Sequence, residues 1–125
     1  MALVVAAVTL LGVSSATALT RYQTEITVDS SVPVGGGFFL DSGRVFQKAR
    51  CDLLDRAVRL IGIRADGTKK LLDFTLPSIP GEAWATKSKR TGFQRVVAKI
   101  RRSHRHGRPG HRWICTGASI KVFPG

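Results

Sequence analysis

The sequence predicts an all-β chain, an antiparallel β-sandwich of six or seven short strands closed by one disulfide. Three observations point there. Runs of five to nine residues with strand-like apolar and β-branched patterning recur along the chain, separated by Gly, Pro and Asp-Gly signals. Helical periodicity is thin: only residues 46–54 could form two turns, and the neighbouring strand pattern argues against it. The two cysteines, Cys51 and Cys115, lie 64 residues apart and bracket the most strand-like part of the chain. With 125 residues and 43% apolar side chains, one domain with a genuine core is expected.

Residues 1–18 read as an export signal. Residues 2–13 are apolar and uncharged, and Ala16-Thr17-Ala18 fits the small-x-small pattern that signal peptidases cut after. No Lys or Arg precedes the apolar run, so an upstream start or an uncleaved anchor are the alternatives. The sandwich domain is then 19–125.

Residues 22–29 alternate, with Tyr22, Thr24, Ile26 and Val28 on one face, and predict a half-buried strand. Residues 30–37 hold Pro33 and three consecutive glycines and predict a turn region. Phe38-Phe39-Leu40 begins a second strand, interrupted at Asp41-Ser42-Gly43 and resumed at Arg44-Val45-Phe46. Residues 57–64 and 69–76 predict a hairpin across Asp66-Gly67, with Lys70, Leu72, Phe74 and Leu76 sharing a face. Pro77, Pro80 and Gly81 break the chain before a short strand at 82–86 that carries Trp84. Residues 93–101 predict a strand with Val96, Ala98 and Ile100 in phase. Residues 103–110 form a polar, cationic linker, and 111–123 the closing strand. Trp113 and Cys115 differ in parity from Ile120 and Val122, which predicts a bulge near Gly117.

An exported chain meets an oxidising environment, where Cys51 and Cys115 can form one bridge. Closing a loop of about 65 residues would contribute about 4 kcal/mol in the chain-entropy model. Two buried free thiols are the alternative; cysteines this far apart lack the paired spacing of a zinc site.

The formal charge is +12 and is unevenly placed. Residues 83–125 hold eleven basic residues and no acid, which leaves nine basic against eight acidic residues in 1–82. The basic character is therefore expected at one end of the molecule, where it would favour polyanions. Arg101, Arg102, Arg105, Arg108 and Arg112 are the candidate polyanion-binding residues, with an anionic cell-wall polymer as the partner class. Phe93 and Trp113 are the aromatics nearest this stretch, and both read as core. Sequence-specific nucleic-acid recognition is therefore not expected. No nucleophile elbow or phosphate loop is present in the sequence. His104, His106 and His111 sit among five arginines, a field that opposes a metal cation, so neither metal nor cofactor is expected. Trp84 and Trp113 are expected in the core rather than as binding platforms.

In this order the residues resemble the small exported immunoglobulin-like sandwiches of the carboxypeptidase-regulatory-like and prealbumin-like kind, as found in actinobacterial secreted proteins. The resemblance is carried by F-x-L-x-S-G-x-V at 38–45, Cys51, R-x-V-R-L at 56–60, and Asp66-Gly67. The Trp84 segment, the strand at 93–99 and C-x-x-A-S-x-x-V at 115–122 continue it. Gly92-Phe93-Gln94-Arg95 departs from the Gly-Thr-Tyr-Tyr often found there. The resemblance implies an exported sandwich whose disulfide pins opposite parts of the fold. It implies no particular activity.

Overall fold

Alternate residues of the extended runs turn inward on two facing sheets in the computed structural model, which describes residues 20–48, 51, 56–77, 82–105 and 112–124. The expected signal at 1–18 lies outside the described residues. Eleven strands occur among the described residues: β1 (Thr20–Tyr22), β2 (Glu25–Ile26), β3 (Ser30–Gly35), β4 (Phe38–Phe46), β5 (Val58–Ile63), β6 (Lys69–Thr75), β7 (Ala83–Lys89), β8 (Arg95–Ile100), β9 (Ser103–Arg105), β10 (Trp113–Cys115) and β11 (Ala118–Phe123). The count exceeds the expected six or seven because the stretches at 20–26 and 113–123 each divide between two sheets, and because residues 30–35 and 103–105 are strands as well.

One large sheet has the order β11-β8-β5-β6, antiparallel throughout. In the other, β4 pairs with β7 along one edge and with β3 and β2 along the opposite edge. The Thr27 and Asp29 amides carry that second edge across the gap by donating to the Arg44 and Ser42 carbonyls. Between the sheets lies the core: Ile26, Val45 and Trp84 from one side, and Val58, Leu60, Val96, Ala98, Ile100 and Val122 from the other. Val96, Ala98 and Ile100 share a face as their spacing requires, and all three are fully buried. The molecule is thus an all-β antiparallel sandwich with one disulfide.

The hairpin of β5 and β6 forms across Asp66-Gly67, with Gly67 in the left-handed region (φ 88°). The Asp66 carboxylate accepts from the Thr68 amide (2.9 Å) and hydroxyl (2.7 Å), and these bonds hold its carboxyl below the usual range. The face expected for β6 is corrected past its midpoint. The register shifts between Leu60 and Ile61, so Leu72 packs against the core while Phe74 points out, 62% exposed.

Asp41-Ser42-Gly43 does not interrupt the second strand; β4 runs unbroken from Phe38 to Phe46. The residues that suggest a turn serve packing instead. Asp41 is buried in an ion pair with Arg90, and Gly43 lets β4 approach the Thr27 carbonyl, just past β2, closely. A Cβ on Gly43 would stand 1.8 Å from the Thr27 carbonyl oxygen and 2.8 Å from Trp84 Nε1, whose N–H donates to that same oxygen. Gly43→Ala is expected to cost roughly 3 kcal/mol, the upper end of an overpacking penalty, because the obstructing atom is backbone. The midpoint of urea unfolding measures it, and a wild-type midpoint would remove this account of Gly43.

Residues 30–35 form an edge strand rather than a turn; only Gly36 and Gly37 turn the chain, both at positive φ. An edge position tolerates Pro33, whose missing N–H need not serve two neighbours. The expected single strand at 22–29 is split, because β1 pairs in parallel with β10 of the small sheet while β2 joins β4. The expected bulge at Gly117 is likewise a change of sheet: β10 ends at Cys115 and β11 begins at Ala118 on β8. The register irregularity in β11 falls between Lys121 and Phe123. Gly117 fits because a Cβ there would meet the Arg102 nitrogen and Ile100 oxygen at 3.0 Å.

Candidate polyanion-binding surfaces

The strand directions define two ends of the sandwich. The lower end holds the small sheet, β1-β10-β9, and the disulfide. The upper end holds the turns at 36–37, 64–68 and 90–93.

At the lower end Cys51 and Cys115 are bonded, with a Cα separation of 6.0 Å. Both are fully buried beside Trp113 and the half-buried Tyr22. The bridge ties the segment after β4 to the small sheet, so it fastens an end of the sandwich and does not join the two large sheets. Arg56 fills the joint above it, only 4% exposed. Its guanidinium donates to the carbonyls of Arg101 (2.9 Å), Cys115 (3.3 Å) and Thr116 (2.6 Å), and to Thr24 Oγ1 (2.9 Å) and Gln47 Oε1 (2.6 Å). Burial pushes its pKa below the ordinary value, and the charge of Glu82 opposes that shift. Five acceptors on one rigid fork knit the small sheet to the large ones.

The basic residues expected to contact a polyanion are partly gathered here. Arg101 and Arg102 are exposed between β8 and β9, and among the described residues neither has an ion-pair partner. Arg112 is exposed immediately before β10. The backbone of Arg105 lies in β9, opposite Trp113, so 103–105 is strand and not linker. Arg108 lies outside the described residues, as do His106 and His111; His104 is exposed in β9. The register pair Ser103–Cys115 fastens this cationic segment directly to the disulfide-bonded strand.

The expectation that basic character occupies one end is overturned. β8 spans the sandwich, and its six residues carry the chain about 20 Å. Lys87, Lys89 and Arg95 therefore belong to the upper end, and Arg101 and Arg102 to the lower. Arg90 leaves the surface altogether. Its guanidinium is buried against the Asp41 carboxylate and Ser88 Oγ. The rings of Phe39 and Phe123 lie 5.2 and 5.7 Å from it. Ser31 Oγ donates to the other Asp41 oxygen at 2.6 Å. This pair is invisible in the sequence, since 49 residues separate its members.

At the upper end a cleft of about 380 Å³ opens between β6 and β7. Arg64, Lys70, Lys87 and Lys89 line it, together with Phe38, Leu71 and Phe93. The Arg64 guanidinium lies 5.0 Å from the Phe93 ring centre, and Lys87 Nζ lies 5.5 Å from that of Phe38. Phe93, read from sequence as core, packs on Gly62 and is only half-buried. Among the described residues, no acid lines this cleft. Alternation in Lys87-Ser88-Lys89 was the one sequence signal for it.

Both tryptophans are core, Trp84 at 2% and Trp113 at 6% exposure. Among the described residues no three metal-ligating side chains converge, and no helix is long and apolar enough to cross a membrane. No protein-family model matches the chain, and neither a curated protein nor a solved structure matches it.

Proposed function

We propose that this chain is an exported, non-enzymatic β-sandwich, akin to the carboxypeptidase-regulatory-like and prealbumin-like domains, with a structural or interaction role at the cell envelope. Its lower basic end, Arg101 to Arg112, is the surface that touches an anionic polymer of the wall. The observation that carries this reading is the buried Cys51–Cys115 bond. Structural disulfides belong to non-reducing compartments, and this one holds the strand against which the cationic segment is paired. Export itself rests on the apolar run and small-residue site in residues 1–18.

The expected result is binding to purified cell wall that falls steeply with salt, as counterions compete for the same charges. Replacing Arg105, Arg108 and Arg112 with Ser should weaken it. Undiminished binding by that triple variant would remove the lower end as the contact.

A second reading, a general extracellular polyanion or nucleic-acid binder, is favoured by the charge of +12 and its spread over both ends. Retention on heparin or DNA resin that survives to high salt, with no preference for wall polymer, separates the second reading from the first.

A further inference from the structure

We propose that the outer face of the β3-β4-β7 sheet, with the cationic cleft at its upper end, docks on an anionic lipid surface. The proposal concerns the opposite end from Arg101, Arg102 and Arg112 and does not depend on the wall-polymer reading.

Strand alternation that buries Asp41, Gly43 and Val45 turns Phe38 and Leu40 outward. They are 37% and 46% exposed, and Val32 and Val34 of the neighbouring β3 are 48% and 45% exposed. Val32, Leu40 and Ala85 line a shallow groove of about 520 Å³ on this face. Lys87 lines both that groove and the cleft holding Arg64, Lys70 and Lys89. Apolar surface and cations are therefore continuous. The acids nearby have partners of their own: Asp41, which lines the groove, is paired with Arg90, and Asp66, next to Arg64, accepts from Thr68. Asp73 lines the groove, and its carboxylate accepts from the Lys87 and Phe74 amides; Asp29 lies 3.9 Å from Arg44 at the lower rim.

A soluble polyanion would use the cations and leave the apolar side chains in water. A membrane interface takes both, seating the side chains among acyl chains and the ammonium groups among headgroup phosphates. Lys87 against Phe38 and Arg64 against Phe93 have the arrangement this requires: an apolar body with the charge at its tip. Strand addition by a second copy is disfavoured, because β3 contains Pro33 and has an irregular register between Pro33 and Gly35.

The test is sedimentation of the full chain with vesicles of equal parts phosphatidylglycerol and phosphatidylcholine, against phosphatidylcholine alone. Residues 2–13 are uncharged and contribute equally to both, so the difference between the vesicles is the readout. The expected result is preferential binding to the anionic vesicles, weakened about fivefold for each of Lys70→Gln, Lys87→Gln and Lys89→Gln. Val32→Ser with Leu40→Ser should weaken binding to the anionic vesicles about tenfold and leave retention on heparin resin unchanged. Phe74→Ser, which removes an exposed apolar group lining neither groove, should have no effect. Circular-dichroism melting confirms that each variant folds. Equal binding to both vesicles, no binding at physiological salt, or insensitivity to Val32→Ser with Leu40→Ser would each overturn the proposal. So would a loss on Phe74→Ser as large as that of the double variant.

Discussion

Asp41→Ala should lower stability by about 3–5 kcal/mol, the usual consequence of removing one partner of a buried ion pair. The Arg90 guanidinium is 3% exposed and would keep its charge with no carboxylate to meet it. Phe39 and Phe123 crowd its faces, so water cannot readily replace the lost carboxylate. For a domain of this size such a loss approaches the entire margin of stability. Urea unfolding with tryptophan fluorescence measures it, since Trp84 reports from the same core. The double change Asp41→Leu with Arg90→Met should recover much of the loss, because both charges then disappear. If the single variant unfolds at the wild-type urea concentration, the pair carries none of the weight assigned to it.

Replacing Cys51 and Cys115 together with Ser should cost about 4 kcal/mol, set by the long loop the bond closes in the unfolded chain. The effect should be uneven across the molecule. Trp113, Cys115 and Cys51 form their own small cluster, distinct from the cluster around Trp84. Amide exchange should therefore rise first in β1, β9 and β10 and last in β5 and β8. Thermal melting with and without reductant gives the size of the loss, and exchange gives its distribution. Uniform acceleration throughout would show that the small sheet is not a separate cooperative unit.

Where one face of a strand meets one core, the fold is legible in the sequence. Val96, Ala98 and Ile100, Trp84, and the hairpin at Asp66-Gly67 are read correctly because period-two burial and a left-handed turn have single meanings. Legibility fails where one residue type serves two purposes. Asp41 and Gly43 look like a turn, but one is half of a buried ion pair and the other makes room for Trp84. Pro33 and the glycines beside it look like a loop, but an edge strand accepts them. Leu72 and Phe74, expected on one face, part to opposite sides because of a register shift that no local pattern announces. The candidate site suffers most. Arg95 and Arg101 are six residues apart in sequence and at opposite ends of the sandwich, so a run of charge in the chain did not mean a patch on the surface.

The parallel pairing of β1 with β10 has a mechanical consequence. Tension applied to the chain before Thr20, against an anchor beyond β11, would pull the two strands past each other lengthwise. Their hydrogen bonds would then be strained together rather than peeled one by one. The neighbouring sulfur–sulfur link would pass the force from β10 to residue 51, and so into the segment that leaves β4.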